Sequence, residues 1–90
     1  MTTPTPADLD RIANWPLATH NDYVALMTYV RGLWQGTGKW DRNEGYYELH
    51  ATDEDADLIE SLQDNAPFWA ECWESSNRYG TYTFRTPTNR

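Results

Sequence analysis

With 90 residues, 39% of them hydrophobic, the chain has the length for one domain with a modest core, and five Trp, six Tyr and two Phe must supply much of what is buried. A formal net charge of −7 argues against direct nucleic-acid binding, which needs a basic face to displace counterions. The single cysteine excludes an internal disulfide, and no apolar run reaches the length of a membrane span.

The Thr/Pro-rich start lacks the basic and apolar regions of a signal peptide, so a cytosolic soluble protein is expected. Residues 1–5 and 87–90 are expected to be flexible, with one domain between them. Pro6 can open a short helix capped by Thr5, with Leu9, Ile12 and Ala13 facing inward, and Trp15-Pro16 closes it. Thr19 or Asn21 caps a second helix whose inward face is Tyr23, Leu26, Met27, Val30, Leu33 and Trp34, and Gly36 and Gly38 end it. Gly38 to Glu44 reads as irregular or briefly extended. Asn43-Glu44-Gly45 is a turn signal, and Tyr46 to His50 reads as a strand.

Thr52 and Asp55 stand at capping-box spacing and begin a third helix with Ala56, Leu58, Ile59 and Leu62 inward. Asp64-Asn65 interrupts it. Asn65 then caps a fourth helix, with Pro67 in its first turn. Phe68, Trp69, Cys72 and Trp73 share one face of that helix, and Gly80 is read as its end. Each ring buried there contributes roughly 1.5–3 kcal/mol. Thr81 to Arg85 alternates as a strand, and the strands 46–50 and 81–86 most simply pair antiparallel. The expected fold is α+β, about four helices packed on a two- or three-stranded antiparallel sheet.

Residues that could carry catalysis are sparse. His20 and His50 are far apart in sequence and match no zinc or triad spacing, and Cys72 lies between rings with no base or cation beside it. Gly36-Thr37-Gly38-Lys39 lacks the full spacing of a phosphate loop and follows a helix. No enzymatic activity, metal or cofactor is expected.

Charge distribution is more informative. From Glu44 to Glu74 there are ten carboxylates and no Lys or Arg. On the third helix Asp53, Asp57, Glu60 and Asp64 recur at i, i+4, i+7 and i+11, one stripe, with Glu71 and Glu74 projecting from the fourth helix. Glu44 and Glu48 lie in the same window. Such a field resembles a nucleic-acid backbone to a basic partner and speeds encounter with it; the plainer alternative is a solubilising face. Of the surplus aromatics Trp15, Trp40, Tyr46 and Tyr79, those exposed beside the stripe would serve as anchors, with Trp40 and Tyr46 the leading candidates.

The stretch Tyr47-Glu48-Leu49-His50, Ile59 to Leu62-Gln63-Asp64-Asn65, and Phe68-Trp69 to Cys72-Trp73-Glu74-Ser75-Ser76-Asn77-Arg78-Tyr79-Gly80-Thr81-Tyr82-Thr83-Phe84 resembles a pattern in small bacteriophage and prophage proteins. Its parts are a YxLH strand, an IxxLQxN helix and an FWxxCWxSSxRGGxYxF close. Here Tyr79 replaces the first glycine of that close, and Ala51 to Asp57 is more acidic. The resemblance covers the C-terminal half and implies phage origin, hence the cytoplasm of a bacterial host. It transfers no catalytic residue. The resulting expectation is a non-enzymatic inhibitor, in its most concrete form an anti-CRISPR or other anti-defence protein. Its acidic face would block a basic, nucleic-acid-binding surface on a bacterial protein. The alternative is a small phage structural or adaptor protein acting through an aromatic interface or as a homodimer.

Overall fold

The computed structural model describes residues 4–41 and 43–86. Helix α1 (Pro6–Ala13) is fixed at its start by a reciprocal box: Thr5 Oγ1 accepts from Asp8 N and Asp8 Oδ2 accepts from Thr5 N. Thr5 is therefore held in place, while residues 1–3 and 87–90, expected to be flexible, lie outside the described residues. Helix α2 (His20–Leu33) opens the same way, the Asp22 carboxylate accepting from Thr19 N and Ala18 N. Those two amides hold the Asp22 carboxyl below its ordinary value. The Trp15 indole N–H donates to the Asp22 carbonyl and its ring leans on Tyr29, so the α1–α2 connection is packed down.

Strands β1 (Thr37–Asp41), β2 (Tyr46–His50), β3 (Trp73–Ser76) and β4 (Thr81–Arg85) form one antiparallel sheet in the order β1-β2-β4-β3. The pairing of β2 with β4 is the one the sequence predicts; the sheet adds an edge strand on each side. Gly38 to Asp41, read as irregular or briefly extended, is part of β1. The fourth helix does not run to Gly80. Helix α4 (Ala66–Cys72) stops where Trp73 turns extended, at φ −67° and ψ 125°. Asn77 Oδ1 then accepts from Tyr79 N and Thr81 N, and Gly80 takes φ 86°, so these residues turn a β-hairpin.

A 3₁₀ turn (Asp53–Asp55) leads into α3 (Ala56–Asp64). The helices supply Ile12, Leu26, Met27, Val30, Leu58, Ile59, Leu62, Phe68 and Cys72 to a single core with Tyr47, Leu49 and Phe84 from one sheet face. Phe84 is central to it, with its ring centroid 5.4 Å from Phe68 and 5.5 Å from Trp69. The other sheet face, by strand alternation, carries Lys39, Tyr46, Glu48, His50, Thr83 and Arg85.

Two buried polar side chains hold the helices to one another. The Asp55 carboxylate accepts from Gln35 N at 2.7 Å, Gly36 N and Thr52 N at 2.9 Å, and Thr52 Oγ1 at 3.0 Å, tying the α2–β1 connection to the start of α3. The Asn65 amide donates to the Ile12 and Trp15 carbonyls while its oxygen accepts from Phe68 N, tying the end of α1 to the start of α4. Gly36 leaves no room for a side chain, because a Cβ there would collide with the His50 carbonyl oxygen.

Asp55→Ala leaves three backbone N–H groups without their acceptor and should cost about 2–4 kcal/mol in urea unfolding, with Asp55→Asn losing less. Gly36→Ala should lower the unfolding midpoint comparably. Wild-type stability in either alanine variant would show that the junction does not depend on these contacts.

Candidate functional site

The acidic stripe is built on α3 because the inner face of that helix is committed to the core. Leu58, Ile59 and Leu62 are buried, and Asp57, Glu60 and Asp64 project from the opposite side, all exposed. Axial steps of about 4.5 and 6 Å separate them. Asp53 lies one turn earlier, in the 3₁₀ segment, and is also exposed. None of the four side chains makes a hydrogen bond or ion pair among the described residues.

Packing of α1 on α3 brings Asp10 to the same surface, where it lines a shallow depression with Asp57, Glu60 and Asp64. Asp10 was invisible to sequence reasoning because its helix ends at Ala13, far from Ala56 where α3 begins, and only tertiary packing joins the two. On the other side of α3, Asp53 and Glu60 line a second hollow against the β3–β4 hairpin, with Arg78, Tyr79 and Tyr82. Glu60 sits between the two depressions.

The remaining sequence candidates fall elsewhere. Glu74 is neutralised in place, accepting from Arg85 Nε at 2.9 Å. Glu71, on α4, acts on Tyr23 of α2, where burial first, then Cys72 and Glu71, raise the phenol pKa. Glu48 points from β2 to the sheet face opposite the helices. Trp40 is packed between Trp34 and Tyr47, at 6.1 and 6.2 Å between ring centroids. Tyr46 lies on the open sheet face with Lys39 and Arg85 over its ring. Neither Trp40 nor Tyr46 adjoins the stripe. Tyr79, 81% exposed at the hairpin tip, does, together with the less exposed Tyr82. The signal for Tyr79 in the sequence was its place in a tight turn, where no regular face could bury it.

All described cations are engaged with rings. Arg11 stands over Tyr29, Arg31 over Trp40, Lys39 and Arg85 over Tyr46, and Arg78 over Tyr79, at 5.2–6.0 Å from the centroids. Arg42 and Arg90 lie outside the described residues. Among the described residues, none of these cations forms an ion pair with the stripe.

His50 Nδ1 meets Thr81 Oγ1 at 3.1 Å across β2 and β4, and His20 opens α2 on a separate element. Among the described residues no three His, Cys, Asp or Glu side chains converge as metal ligands, and no helix is long and apolar enough to cross a membrane. Cys72 is buried, and desolvation, helped by Glu71, pushes its thiol up to about 12. No protein-family model, curated protein or solved structure matches the chain.

In the unfolded chain Cys72 ionises near 8.5, whereas the folded chain keeps its proton until far higher pH. Its contribution to stability is complete below about 8.5 and is lost as pH rises from there toward 12. Native Cys72 should resist a thiol reagent at pH 8, and Cys72→Ala should flatten the alkaline fall in urea midpoint. The α3 carboxylates repel one another at helical spacing, and the last turn of α3 has no basic residue to complement its dipole. Asp57→Asn/Glu60→Gln/Asp64→Asn should therefore raise stability by about 0.5–1 kcal/mol, an increment that added salt erases. Destabilisation by the triple change would refute the repulsion.

Proposed function

We propose that the protein is a non-enzymatic inhibitor that uses the α1–α3 face to occupy a basic, nucleic-acid-binding surface on a bacterial protein. The observation that supports this reading is the row Asp53, Asp57, Glu60 and Asp64. It is exposed, unpaired among the described residues, extended by Asp10, and kept at a cost to the helix that bears it. A face selected only for solubility gains more from alternating Glu and Lys, which stabilise a helix at i,i+4 spacing. This row gives up that gain and presents one sign of charge, as a phosphate backbone does. Resemblance of the C-terminal half to small phage proteins makes a phage-encoded, anti-defence protein such as an anti-CRISPR the concrete form of the proposal, acting in the cytoplasm of the host.

A second reading, an adaptor joined through aromatic surface, is favoured by Trp73. It is 40% exposed on edge strand β3 and stacks on Trp69 with ring centroids 5.7 Å apart. Sedimentation separates the two: a symmetric dimer abolished by Trp73→Ala supports the adaptor.

The inhibitor reading is tested by affinity capture from a bacterial lysate, with duplex DNA and RNA as competitors. The captured protein should be a basic nucleic-acid binder that is displaced by nucleic acid and by high salt. It should be lost from the Asp57→Asn/Glu60→Gln/Asp64→Asn variant, which remains folded. Capture that survives high salt, or full capture by the triple variant, would overturn the proposal.

A further inference from the structure

We draw no further inference here: the strongest candidate, the outer edge of β3 with Trp73 stacked on Trp69, is an exposed apolar edge of the sheet, and nothing in the structure shows what covers it.

Discussion

Helix α3 is pinned at each end by a buried polar side chain, and its placement between them governs the rest of the molecule. At its start the Asp55 carboxylate gathers four donors from the α2–β1 connection and from Thr52. At its end Asn65 bonds to the closing carbonyls of α1 and caps α4. Buried polar groups this fully bonded lock position as well as stabilise, because each alternative arrangement leaves a donor or acceptor unsatisfied. With both ends fixed and Leu58, Ile59 and Leu62 in the core, the outer face of α3 is free of structural duty.

That freedom accounts for the charge. Burial of three large aliphatic side chains contributes roughly 1.5–3 kcal/mol each, against a few tenths for each like-charge pair on the outer face. The fold can therefore carry the repulsion. The described cations stand over aromatic rings at α1–α2, between α2 and β1, on the open sheet face and at the hairpin tip. Among the described residues, the ion pair is that of Glu74 with Arg85, on the sheet and away from α3.

Features set by neighbouring residues were legible in the sequence. The Thr5 cap, the Thr52 box, the Asn65 cap, the inward face of α2 and the Asp57–Glu60–Asp64 stripe all depend on local spacings, which a helix converts directly into contact. Features that depend on distant pairing were not. Trp73 continued the aromatic face of α4 by periodicity, yet the four residues Trp73 to Ser76 are extended because β4 offers them a ladder. Thr37 to Asp41, with a glycine and a lysine inside it, becomes a strand by pairing with β2. Of the site, Asp10 joined through packing and Tyr79 through a turn, while Glu74 left through an ion pair with a residue on another strand. In each case the deciding partner was remote in sequence.

Whether the carboxylates of α1 and α3 act as one continuous negative field can be measured on the isolated protein, by comparing paramagnetic relaxation of amide protons by a cationic and an anionic nitroxide of the same size. The cationic probe should relax the amides of Asp10, Asp57, Glu60 and Asp64 far more than the anionic one. The two probes should act nearly alike on β2 and β4, and salt should shrink the difference. A cation-to-anion ratio that is uniform over the whole surface would contradict the account.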